Sequence, residues 1–336
     1  MTQTLIELEG GSITHFTETE DGFATLDTDS YLRVWSRDGK ARGKVKAGAG
    51  RMIRLQAITV GPDGALLTGT TKIAAYDPTT AKRIREWKGH GKHSEISGLA
   101  LTQGGTRLVS GAHVSLASNA NGVRVWDYAG GDALEVIPLP SPVRKHGCEV
   151  HALGRAPSSD VVFALAYSRQ GPDEKIGGAS YLFRCEGGKA EQIAECSAPK
   201  PMGHDTETML RVLAITDRYL VTSKTTQYPE PGAPLAPFAP SLEVRSHDGA
   251  LVGAHALEPA LPTVRAFRYE HVAVSPDGAR VAVVVGDGIE IRALPSLELE
   301  VHIPITDAAV DRLAFARAGG LLAACGARIR ALALPS

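Results

Sequence analysis

The sequence predicts an all-β fold: a seven-bladed β-propeller, four antiparallel strands per blade, with its ring closed by the N-terminal strand. Three observations predict it. Helical periodicity is almost absent along the 336 residues, while short β-rich runs broken by Gly, Pro, Asp and Asn recur from end to end. One such run, alternating apolar and polar, returns seven times. The last repeat shows three strands, and a strand-like segment near the start of the chain can supply the fourth.

The clearest copies of the repeated run are Val123-Arg124-Val125-Trp126-Asp127 and Leu32-Arg33-Val34-Trp35, which set the register. Weaker copies begin at Ile73, Tyr181, Leu242, Ile289 and Ile329. Their equivalent positions (Trp35, Tyr76, Trp126, Arg184, Arg245, Arg292 and Leu332) stand 40 to 61 residues apart. The shortest spacings match the roughly 40–45 residues of one propeller blade, and the longer ones hold loop insertions. Two further strands precede each copy, as at 96–102 and 107–110, and a fourth follows, as at 83–88. The final blade offers strands at 310–316, 321–325 and 329–334. Residues 4–9, alternating Ile6 and Leu8 with Glu7 and Glu9, are expected to complete it and remove its open edge, so that residues 1–336 form a single domain.

Gly89-His90 and Trp126-Asp127 resemble the two signature dipeptides of the WD-repeat family. Ser275-Pro276-Asp277-Gly278 and Gly61-Pro62-Asp63-Gly64 resemble its first hairpin turn. In the third blade His90, Ser110 and Trp126 match three members of the family's hydrogen-bonded tetrad, with Asn119 or Asn121 in place of the fourth, an Asp. Most other blades lack the His and the Trp, and apolar packing is expected to hold them. The resemblance implies a rigid, non-catalytic platform that binds proteins or peptides inside a multi-protein assembly.

Composition narrows the partners. Lys plus Arg (36) nearly cancels Asp plus Glu (37), and only 5% of residues are aromatic, which disfavours nucleic acid. Neither a membrane-spanning stretch nor a signal-peptide pattern is present, so a cytoplasmic protein is expected; the abundance of Ala, Gly and Arg points to a GC-rich, bacterial source. The four cysteines form no Cys-x-x-Cys pair, and a turn at Gly187-Gly188 sets Cys185 opposite about Ala190, out of register with Cys196. Reduced thiols and no cofactor are expected.

In a propeller the second-to-third-strand loops and the blade-to-blade connections share one face. Residues 112–121, 169–179 and 225–240, in consecutive blades, are long, and so are the connections at 138–148, 197–207 and 259–264. The longest loop carries five prolines with Tyr228, Leu235 and Phe238, which either anchor a partner or fold back on the propeller. The channel mouth is a second partner surface. Its residues at the first-strand starts are Ser12, Arg54, Glu95, Glu149, Met209, Arg268 and Ala309. Lys40, Arg42, Lys44 and Lys46 alternate with small residues on an outer strand, a pattern that guards against edge pairing or docks an acidic partner. The rival reading is a propeller enzyme, or a small-ligand or metal-binding protein, using His146, Cys148, Glu149, His151, His204 and Glu207.

Overall fold

A computed structural model describes residues 2–47, 57–90, 94–114, 122–140, 149–168, 179–196, 207–210, 213–227, 241–257, 271–286, 288–305, 309–317 and 319–334. They build seven antiparallel sheets, six of them consecutive in sequence. The first strands touch in succession from Ile13–Glu18 through Arg312–Phe315 and back, so the sheets stand as blades around a closed ring. The seven repeated runs are the third strands, from Tyr31–Ser36 to Arg328–Leu332.

The seventh blade is closed by Thr2–Glu7, which pairs with Arg328–Leu332. Closure is as expected, but the strand lies two residues earlier than 4–9. A register shift between Thr4 and Ile6 absorbs Leu5, so Ile6 stays buried while Leu8 lies past the strand's end, its amide donating to the Ala327 carbonyl.

The core is a ring of layers between blades. Ala24, Leu26 and Val34 of blade 1 pack on Leu66 and Tyr76 of blade 2, and Val281 and Val283 of blade 6 pack on Val221 and Val244 of blade 5. Each sheet is therefore covered on both faces. The second strands, such as Val162–Ser168 and Leu321–Cys325, accordingly read as unbroken apolar runs and are buried throughout. Cys185 faces Ala190 and Cys196 faces Ser180, as the Gly187-Gly188 turn requires, and both thiols are buried and free.

Inside the blades, polar staples join the strands. Trp126 Nε1 donates to Ser110 Oγ at 2.8 Å, and Ser110 Oγ lies 2.8 Å from His90 Nε2. Trp35 repeats the arrangement on Thr25 at 3.0 Å, and Tyr76 hydrogen-bonds Thr68. Blades 5 and 6 add buried charge to the mainly apolar packing expected of them. There an Arg occupies the Trp position and pairs with a Glu two residues earlier: Arg245 with Glu243 and Arg292 with Glu290, each at 2.7 Å. Each guanidinium also donates to a carbonyl of the following turn, Gly249 at 2.9 Å and Leu297 at 2.7 Å.

These features carry three expected outcomes. Deleting residues 1–7 exposes the edge of Arg328–Leu332, and a fluorescence-monitored melt shows a lower transition temperature or aggregation. Glu290→Ala strands a buried guanidinium and costs about 3–5 kcal/mol in urea unfolding, most of which the double variant with Arg292→Leu restores. Burial, reinforced by the Arg124 charge, lowers the His90 pKa from 6.5 to about 3. The unfolded chain therefore takes up a proton that the folded chain refuses. Stability is complete above pH 6.5 and falls as pH drops toward 3, by at most about 1.4 kcal/mol per pH unit from this group. In His90→Asn the loss over that window is shallower, which parallel urea titrations at pH 7 and pH 5 measure.

Candidate functional site

The ends of the described strands sort the connections by face. First-to-second and third-to-fourth turns lie on one face and are tight: the Gly64 amide closes on the Gly61 carbonyl at 3.0 Å, and Ser275 Oγ donates to Asp277 at 2.5 Å. The starts of the first strands and the second-to-third connections lie on the other face, around the channel mouth. Here blades 1 and 2 turn within a few residues, after Asp27 and after Gly69. In blades 3, 4 and 5 the flanking strands end at Val114, Ser168 and Gln227 and resume at Gly122, Ala179 and Ser241. The expected loops are thus shorter than proposed, because residues 112–114 and 225–227 continue their strands with backbone partners opposite.

Two expected mouth residues lie in adjacent blades. Glu95 stands in Ser94–Leu101 opposite His113, and Glu149 opens Glu149–Arg155 opposite Tyr167. Both are half-buried. The ladder shifts between Val150 and Ala152, and the residue it leaves over is His151. Its Nε2 lies 3.6 Å from the Glu149 carboxylate, and its ring is 5.5 Å from that of Tyr167. Ser97 sits at the matching shift of blade 3 and its hydroxyl donates to the Val150 carbonyl, stitching the two inner strands. The two side chains are 15% exposed each and the imidazole Nε2 is buried, so the pair packs against the inner strands of blade 4.

Met209 lies in Glu207–Leu210, opposite Thr225. Arg54, Arg268, Tyr228, Leu235 and Phe238 lie outside the described residues, as do His146, Cys148, His204, Asn119 and Asn121. Of the rival constellation the structure brings Glu149 and His151 together, and among the described residues no group of three His, Cys, Asp or Glu is arranged for a metal. Burial pushes the Cys185 thiol up to about 12 and raises that of Cys196, so neither supplies a thiolate near neutral pH.

A latch between blades 2 and 3 was not anticipated. The Tyr128 hydroxyl donates to Asp63 at 2.5 Å, and Arg85 donates to the Tyr128 carbonyl at 2.5 Å while stacking on the rings of Tyr128 and Trp87. Burial, with the Asp63 carboxylate, holds the Tyr128 phenol well above its usual range. Both ends sit in motifs visible in the sequence, Trp126-Asp127-Tyr128 and Pro62-Asp63-Gly64, but only the ring brings them together.

No family model matches the chain, and no curated protein matches it. Among solved structures it is similar to the WD40 β-propeller domain of Doa1, at TM-score 0.64 and 13% identity over 100% of this chain and 98% of that one. The fold is that of a WD40-type β-propeller of seven blades.

Proposed function

We propose that the chain is a non-catalytic platform of the WD-repeat family that holds other proteins, or peptide segments of them, within a cytoplasmic multi-protein assembly. The observation that carries this reading is the unequal dressing of one face. Residues 115–121, 169–178 and 228–240 connect strands in three consecutive blades, while blades 1 and 2 make the same connection in a few residues. Extra chain length that clusters in one sector serves contact better than stability. Tyr228, Leu235 and Phe238 provide anchors there, and the surrounding prolines reduce the entropy lost when a partner orders the segment. Glu95 and Glu149 border the same sector from the channel side. The His90, Ser110 and Trp126 staple supports family membership.

The test replaces residues 228–240 with a short Gly-Ser turn, leaving the Gln227 and Ser241 ladders intact. The fold survives, as circular dichroism reads, because loop length weighs little on stability. Affinity for a partner recovered from the native cell falls by about 2 kcal/mol or more. Unchanged affinity removes the arc from the binding surface.

A further inference from the structure

The seven blades serve as internal controls for what the scaffold requires at each register position. The first residue of the third strand faces the last residue of the fourth: Gly122 faces Pro138, Ser180 faces Cys196, Ser241 faces Ala256 and Gly288 faces Pro304. Small and uncharged pairs satisfy the fold in these four blades. Where charge does occur near this position it is neutralised within the blade, by Lys72 on Glu86 at 2.5 Å in blade 2 and by Arg328 on Glu7 at 2.7 Å in blade 7. Blade 1 differs. Tyr31 faces Lys46, and two residues further in Arg33 faces Lys44.

All three cations gather at the Tyr31 ring: Lys44 Nζ at 4.0 Å from its centre, Arg33 at 5.5 Å and Lys46 Nζ at 6.0 Å. Arg33 is held by Asp27, whose carboxylate also accepts the Tyr31 amide at 2.9 Å, so the base of the cluster is fixed. Lys44 and Lys46 are exposed and form no ion pair among the described residues. The ladder shifts at Val34 and Trp35, which face Gly43 and Ala41, so Arg42 is left over and the strict alternation of four cations expected from the sequence ends there. Lys44 and Lys46 remain in register, about 7 Å apart as residues two along a strand are.

Protection of the edge does not explain them. Two outer strands that each expose two large apolar side chains, Ala133–Pro138 with Leu134 and Val136 and Leu251–Ala256 with Leu251 and Val252, carry no lysine. We propose that Tyr31, Arg33, Lys44 and Lys46 form a docking site for an acidic, extended segment of a partner protein, with carboxylates at alternate positions meeting Lys44 and Lys46. This surface lies on blade 1, away from the arc over blades 3–5, and stands or falls separately from it. A peptide suits it better than nucleic acid, because Lys44 covers the ring on which a base would stack.

The probe is a fluorescein-labelled nonapeptide with glutamate at every second position and threonine between, followed by fluorescence anisotropy at low ionic strength. The protein with residues 228–240 replaced binds it like the wild type. Lys44→Glu with Lys46→Glu weakens binding tenfold or more, whereas Lys189→Glu with Arg218→Glu, an equal charge change at exposed positions of blades 4 and 5, changes it less than twofold. Melting curves verify that each protein is folded, and Lys44→Gln with Lys46→Gln replaces the first variant if it is not. Equal loss in both double variants, no binding to the wild type, or tighter binding of a single-stranded oligodeoxynucleotide of the same charge overturns the proposal.

Discussion

Packing of each sheet on both of its neighbours is the interaction on which the rest of the structure depends. A four-stranded sheet with two apolar faces cannot bury them alone, so every blade needs the next, and the series ends only when the seventh meets the first. Ile6 and Leu8 make that junction, lying in one apolar layer with Ile13, Phe16 and Trp35 of blade 1 and Leu322 and Ile329 of blade 7. The N-terminal strand is for this reason a structural element of the seventh blade. The tight turns on one face and the freedom of the other follow from it. Once the layers hold the strands, connections at the channel-mouth face can lengthen with little effect on the fold.

Within that frame the polar staples are interchangeable solutions to one problem, how to join the third strand to its surroundings inside a dry interface. An indole or phenol on a hydroxyl serves blades 1 to 3, with His90 extending the chain in blade 3. A Glu and Arg pair with a guanidinium bond to the next turn serves blades 5 and 6. The two differ in how they respond to pH and to substitution. A neutral buried imidazole is lost to acid, whereas a buried ion pair is lost when either partner is removed singly.

Much of the architecture was legible in the sequence because its signals are local. Alternation marks the third strands, Gly and Asp punctuate the turns, and Trp126 with Ser110 and His90 declares one blade outright. The closing strand was legible in kind but not in register, since the shift at Leu5 that moves it to Thr2–Glu7 leaves no mark on the alternation of Ile6 and Leu8. Glu243 with Arg245 and Glu290 with Arg292 are, in the sequence, only the polar positions of weak copies of the repeated run, and only burial between blades turns them into staples. At the channel mouth, Glu149 and His151 were visible as residue types, but their contact depends on a shifted ladder that residue spacing does not announce. The aromatics of the long loop rest on sequence alone, and Lys44 and Lys46 gained their meaning only from comparison with the other six blades.

If ring closure makes the propeller one cooperative unit, no blade opens ahead of the others. Native-state hydrogen exchange read by mass spectrometry tests this most directly. The buried second strands Gly22–Asp27, Val162–Ser168, Arg280–Val285 and Leu321–Cys325 are expected to exchange with a common free energy equal to that of global unfolding. A distinctly lower value for Leu321–Cys325, with Thr2–Glu7, the outer strand of the same blade, exchanging alongside, would mean that the seventh blade opens on its own and that closure does not govern the fold.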